Sequence, residues 1–280
     1  MPSSTEIITT FSLSGGQGKT LTTFMLGVKA AKQGIPTLII DCDPQATLTD
    51  ICGVECQNSP TLYEVFDKDR RFNVEDAVYP VPNRPNLFII PADNSLGDRD
   101  NELKQSPNCG IQLKLRLAPI LDDFGLIVID TGPSRNLLAM TAIGAANRMI
   151  IPIEATAKGN QALPRTWGLI EECIEAEAFG GEVLGLIPFR AKMAGHSLCH
   201  EGRNSINAME LFLSRQRLVR DMRMVGKDLM LPMVVESDIY KQVYSRGQTP
   251  TEVDPKRAAL ENSFDVVLQR LGLVREAATV

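Results

Sequence analysis

The run Ser14-Gly15-Gly16-Gln17-Gly18-Lys19-Thr20 packs glycines, a lysine and a hydroxyl into one short stretch. Glycines let backbone N–H groups close around an anion, a lysine at the end of the loop reaches the outer phosphates of a nucleotide, and the next hydroxyl is a ligand for Mg²⁺. The expected nucleotide-binding residues are Gly15, Gly16, Gln17, Gly18, Lys19, Thr20 and Leu21. A strict phosphate-loop pattern carries a further glycine at position 13, where this chain has Leu13. Two more candidate groups are acidic. Asp41 and Asp43 follow one apolar run, and Asp130 ends another. Carboxylates at the ends of strands beside a phosphate loop are placed to hold Mg²⁺ through its water shell. A strand-end Asp can equally cap a helix, and that role stays open for Asp41.

These groups need elements to position them. Glu6 to Ser12 reads as a strand, the glycine-rich turn follows, and Lys19 to Gln33 carries a helical pattern that Gly34 closes. Thr37 to Ile40, Leu87 to Ile90, Leu126 to Ile129, Arg148 to Ile153 and Val183 to Pro188 are uninterrupted apolar strands with helical stretches between several of them. Such strands predict an α/β protein with a parallel-rich twisted sheet covered by helices on both faces. A short strand is expected at Leu229 to Met233 and an amphipathic helix at Pro255 to Leu271, with Pro at its first position. Asn101 to Pro107 and Met193 to Asn204 read as loops. With no repeat, low-complexity tract or long linker, residues 1–280 are expected to form one domain.

Composition narrows the function. A chain of 280 residues with 44% hydrophobic content can bury a sizeable core, and no stretch reaches the length of a membrane-spanning helix. A soluble, unexported, cytoplasmic protein with reduced cysteines is the expectation. The net charge of −5 argues against a uniformly basic surface but leaves room for a local basic patch. Cys52 and Cys56 with His196, Cys199 and His200 offer a zinc alternative, although their spacing matches no finger or ribbon pattern and small buried thiols are common.

Taken together, Ser14 to Thr20, Asp41-Cys42-Asp43-Pro44-Gln45-Ala46 and Ile129-Asp130-Thr131-Gly132-Pro133-Ser134 resemble the modified nucleotide-binding motifs of the ParA/MinD family of P-loop ATPases. The likeness extends over nearly the whole chain, and the middle motif is the most diagnostic. It implies an ATPase using ATP and Mg²⁺, in which Lys19 and Thr20 bind phosphates and metal, Asp43 positions the attacking water, Asp41 and Asp130 support the metal, and Gly16 approaches the phosphates of a partner subunit. It also implies a homodimer with ATP sandwiched between subunits, non-specific DNA as a partner, and an adaptor protein that stimulates hydrolysis. Family members carry a lysine directly before the two glycines, and this chain has Ser14 there. That serine resembles the McdA branch, which spaces carboxysomes over the nucleoid with the adaptor McdB; in the ParA branch the adaptor is ParB-like and the cargo can be a plasmid.

A serine cannot supply positive charge to a transferring phosphoryl group. Lys158, following the strand that ends at Ile153, is the candidate replacement and so a catalytic residue with Lys19 and Asp43; Arg165, Arg190 and Lys192 are rivals. For DNA the expected contacts are Arg215, Arg217, Arg220, Arg223, Lys241 and Arg246, whose pairing with phosphates makes affinity salt-dependent. The tail Arg275 to Val280 lacks the basic and bulky apolar mixture of a membrane-surface helix, so a nucleoid rather than a membrane location is expected. Two other functions fit the same motifs. One is a P-loop synthetase that phosphorylates a small carboxylate, and the other a regulatory nucleotide-binding module with little hydrolysis.

Overall fold

The computed structural model describes residues 5–56, 59–67, 72–104, 108–221 and 226–274. A strand β1 (Glu6–Thr10) leads through the glycine loop into α1 (Lys19–Lys32) and back to β2 (Thr37–Cys42). Gly34, at φ +80°, ends α1 in the left-handed conformation that glycine adopts without strain. Next come α2 (Thr47–Cys52), α3 (Leu62–Val65), β3 (Tyr79–Pro80), β4 (Leu87–Ile90), α4 (Leu96–Leu103), α5 (Gln112–Leu117) and β5 (Leu126–Thr131). The chain continues through α6 (Leu137–Ala145), β6 (Arg148–Glu154), α7 (Ala157–Glu175) and β7 (Glu182–Phe189).

The sheet has seven strands in the order β3-β4-β2-β5-β1-β6-β7. Every pairing is parallel except that of the two-residue edge strand β3. Because parallel strands are buried on both faces, their sequences are apolar throughout, and two core layers form. One, under α1, includes Ile8, Phe24, Ile39, Val128 and Phe264. The other, under α6 and α7, includes Phe11, Ile40, Ile129, Leu138 and Trp167. The predicted architecture and the six main strands agree with this arrangement.

The last third departs from expectation. Met193 to Asn204 is a small hairpin of β8 (Met193–Ala194) and β9 (Ser197–Leu198) followed by α8 (His200–Ser214), which Cys199 caps by accepting the Gly202 N–H at 3.3 Å. A cysteine cap lies outside the usual Ser, Thr, Asp and Asn set. After α9 (Arg217–Asp221), the expected strand at Leu229 to Met233 contributes only the isolated bridge between Met230 and Leu186. The path then enters α10 (Tyr240–Arg246) and α11 (Pro250–Val253). The C-terminal helix begins as a 3-10 turn at Pro255–Glu261 before becoming α12 (Asn262–Arg270). Lys29 of α1 ties that segment down through Glu261 at 2.8 Å and Asp265 at 3.0 Å.

Candidate nucleotide-binding site

Sheet register assembles the site. Asp130 pairs in register with Thr10 on β1 and with Asp41 on β2, so the phosphate loop and both carboxylates meet at one carboxyl edge. Ligands in open α/β sheets bind at this edge. Gly16 and Gly18 take φ of +79° and +93°. A Cβ on Gly18 would lie 2.5 Å from the ring of Phe189, whereas one on Gly15 or Gly16 would meet nothing within 4 Å. The loop is thus closed against β7 on one side and open on the other. Thr22 makes the first α-helical bond, to the Gly18 carbonyl, so the N–H groups of Lys19, Thr20 and Leu21 precede the helical ladder and point toward an anion.

Gln17 and Leu21 can serve phosphate only through their backbones. The Gln17 amide oxygen accepts the Glu154 N–H at 2.8 Å, and the Leu21 side chain is buried beneath α1. Sequence spacing alone does not reveal this division.

The charged groups are arranged unevenly. The Lys19 ammonium is buried and donates to the carbonyls of Ser12 and Ser14, each at 3.1 Å. Burial holds its pKa below the usual lysine value, opposed by the charges of Asp130 and Asp43. The Asp130 Oδ1 accepts the Thr131 N–H at 3.0 Å and the Thr10 hydroxyl at 3.5 Å, while its Oδ2 is buried without a hydrogen-bond partner. Burial, aided by Asp41, pushes its pKa up to about 8 against the pull of Thr20 and Lys19. An unpartnered buried acceptor beside a helix-start hydroxyl fits a hydrated Mg²⁺, whose waters would donate to it.

Asp41 is engaged inside the protein. Its Oδ2 accepts from the Thr49 N–H at 2.9 Å and hydroxyl at 2.8 Å, and its Oδ1 from the Asp43 N–H at 3.2 Å. Burial pushes its pKa up to about 6 despite these bonds. It fastens α2 to β2, which is the helix-anchoring alternative, and any contribution to a metal is through the shared charge. Asp43 is only half buried, with open space beside its carboxylate; its Oδ1 accepts the Gln45 N–H at 3.0 Å, and its charge acts on the Lys19 ammonium. Gly132 keeps that space clear, since a Cβ there would come within 3.3 Å of the Asp43 carboxyl carbon.

Lys158, in the first turn of α7, is exposed and donates to the Gly15 carbonyl at 3.2 Å. No bond from its rivals to the loop is seen among the described residues. Arg190 lies 3.8 Å from Glu154, and Arg165 and Lys192 are exposed. Beside the loop, a cavity of about 560 Å³ is lined by Phe189, Arg190, Glu236, Tyr240, Lys241 and Tyr244. Apart from Arg190 and Lys241, sequence reasoning missed this set. The available signal was the pair Tyr240 and Tyr244, one helical turn apart next to a cationic strand end.

The expected DNA-contacting residues that the structure describes lie on elements packed against both core layers. Arg215 and Arg217 are exposed at the junction of α8 and α9, whose Met209, Leu213 and Val219 join the core layer under α7. Tyr240 and Val243 of α10, the helix bearing Lys241 and Arg246, join the opposite layer. Lys241 pairs with Asp238 at 2.6 Å and lines the cavity, while Arg246 is exposed. The side chain of Arg220 and all of Arg223 lie outside the described residues. Among the described residues no three His, Cys, Asp or Glu side chains are placed to hold a metal directly. The cysteine–histidine alternative is therefore not assembled, and a Mg²⁺ role for Asp130 would run through water. No helix among the described residues is long and apolar enough to cross a membrane.

A parallel sheet with a glycine loop, helix-start donors and a lysine at its carboxyl edge defines a P-loop nucleotide-binding protein. Residues 5–178 match the family model described as "AAA domain". The chain is 36% identical to the maintenance of carboxysome distribution protein A of Synechococcus elongatus over 95% of its own length and 98% of the relative's. It is 28% identical to the chromosome partitioning protein ParA of Myxococcus xanthus, covering 81% of each. Among solved structures, an ATP complex of Cyanothece McdA superimposes with a TM-score of 0.87 at 34% identity, covering 98% of this chain and 99% of that one. The chain belongs to the ParA/MinD family of P-loop ATPases, in its McdA branch.

Proposed function

We propose that this chain is an ATP-hydrolysing, single-domain positioning protein that closes as a homodimer on ATP, binds non-specific DNA in that state, and releases it when an adaptor stimulates hydrolysis. The observation that carries the reading is the site itself: Lys19, Thr20 and the unpartnered Asp130 oxygen converge on the helix start beneath an open glycine loop. Lys19 exchanges its carbonyl partners for phosphate oxygens on binding. Thr20 and Asp130 would hold a hydrated Mg²⁺, which would supply charge neutralisation to the phosphates. Asp43, half exposed and oriented by Gln45, positions the attacking water. The cavity lined by Arg190, Tyr240 and Tyr244 would receive the base. Lys158 supplies the cation that Ser14 cannot, from its place beside Gly15. The likeness to McdA supports a carboxysome as the cargo and an McdB-like adaptor; the likeness to ParA supports a plasmid or chromosome with a ParB-like one. Nucleoid association in the cytoplasm follows from the DNA step.

Binding to a long non-specific duplex, measured with ATP, ADP and no nucleotide at two salt concentrations, tests the reading. Wild type binds with ATP alone and loses affinity steeply with salt. Lys19→Ala does not bind. Equal binding in all nucleotide states would refute the switch. One observation favours a second reading, a regulatory module with little hydrolysis: Ser14 leaves the loop without its usual cation. ATP-driven dimerisation without adaptor-stimulated turnover would select it.

A further inference from the structure

We infer that Thr166 is a positioning residue that holds the first arm of the phosphate loop in its nucleotide-binding shape. The inference rests on the nucleotide reading above. Thr166 lies on α7, fully buried, and its hydroxyl oxygen accepts the Leu13 N–H at 3.0 Å. Leu13 occupies the place where a strict phosphate loop has glycine, and its side chain packs on the core layer under α7. The loop is therefore anchored outward to a neighbouring helix at this point. Two more links run to the same strand–helix unit: Lys158 donates to the Gly15 carbonyl at 3.2 Å, and the Glu154 N–H donates to Gln17 at 2.8 Å. Residues 13, 15 and 17 are thus all tied to the β6–α7 unit.

Among these links, Thr166 is the one that satisfies a loop N–H from a fully buried side chain. A backbone N–H left without an acceptor is costly, so a loop deprived of this hydroxyl shifts toward shapes in which water reaches Leu13. Apparent affinity scales with the fraction of molecules in the competent shape. If roughly one molecule in ten keeps that shape, the Kd for ATP rises about tenfold. The chain also carries its own reporter. Trp167, its only tryptophan, adjoins Thr166, donates to Glu171 at 2.9 Å and meets the Phe212 ring edge-on.

The test compares Thr166→Val with Thr166→Ser in the full chain. Mg²⁺–ATP is titrated by calorimetry, Trp167 emission is followed in parallel, and melting midpoints are taken with and without nucleotide. Valine raises the Kd about tenfold, shrinks the ATP-induced rise in melting midpoint and reduces the emission change; serine, which keeps the hydroxyl, stays within about twofold of wild type. Valine binding ATP as wild type does would overturn the inference. So would serine losing as much affinity as valine, which would assign the effect to the methyl group. Should valine unfold the helix, Thr166→Ala removes the hydroxyl without added bulk and is judged on the same readings. A wild-type protein that binds no nucleotide would instead sink the nucleotide reading itself.

Discussion

Replacing Asp130 with asparagine should change how the nucleotide-free protein's stability depends on pH. In the unfolded chain this carboxyl titrates at its ordinary value of 3.8, and in the native protein burial and Asp41 push it up to about 8. Between those values the native state binds more protons than the unfolded state, so stability falls as pH rises and levels off above the native value. Each pH unit in that window is worth about 1.4 kcal/mol, so raising pH from about 6.5 to about 8 costs wild type roughly 2 kcal/mol. Asp41, pushed up to about 6, completes most of its own change below this window. Lys19, held below its usual value, acts with the opposite sign toward alkaline pH, because there the unfolded chain keeps protons the native state has lost. Asp130→Asn removes the falling contribution. Melts recorded by circular dichroism, with chelator present, should show wild type dropping by roughly 4–8 °C more than the variant over that interval. Parallel curves for the two proteins would refute the assignment of a buried, largely protonated Asp130.

Lys158→Ala should leave the fold and ATP binding intact, since the side chain is exposed, while lowering steady-state hydrolysis by about three powers of ten; retained ATP-driven dimerisation and hydrolysis would remove Lys158 from catalysis. Gly18→Ala should destabilise the protein by roughly 2–5 kcal/mol in urea denaturation, because it forces an alanine to φ +93° and drives its Cβ into Phe189. A loss below about 0.5 kcal/mol would mean that β7 yields freely at this point.

The sheet and the phosphate loop were legible because their signals are local and redundant. Five apolar runs in addition to β1 announced buried parallel strands, and glycine, lysine and threonine at fixed spacing announced the anion site. What escaped depends on long-range partners. Asp41 and Asp43 look equivalent as residues two apart, yet Thr49 takes up the first while the second stays half buried and bonded to the Gln45 N–H. Gln17 sits among phosphate ligands in sequence, but a strand far along the chain claims its amide. The Leu229 to Met233 run is apolar enough for a strand, yet it meets β7 only at a single bridge beside a 3-10 turn. The cavity beside the loop needs Phe189 and Tyr240 brought together from separate elements, which no local pattern encodes.

The basic residues show the same limit in a form that bears on function. A helix pattern says which side chains face water but not which layer of the sheet the helix covers. Arg215 and Arg217 sit where helices packed on the core layer under α7 meet, and Lys241 and Arg246 on a helix packed on the layer under α1. Lys241 is further occupied by Asp238, and Arg217 shares its groove with Glu171 and Glu175. In a chain of net charge −5, any hold on a polyanion rests on local groups of basic residues. Pairing two copies of one face is the physical route by which the proposed ATP-bound dimer would gain affinity that the monomer lacks.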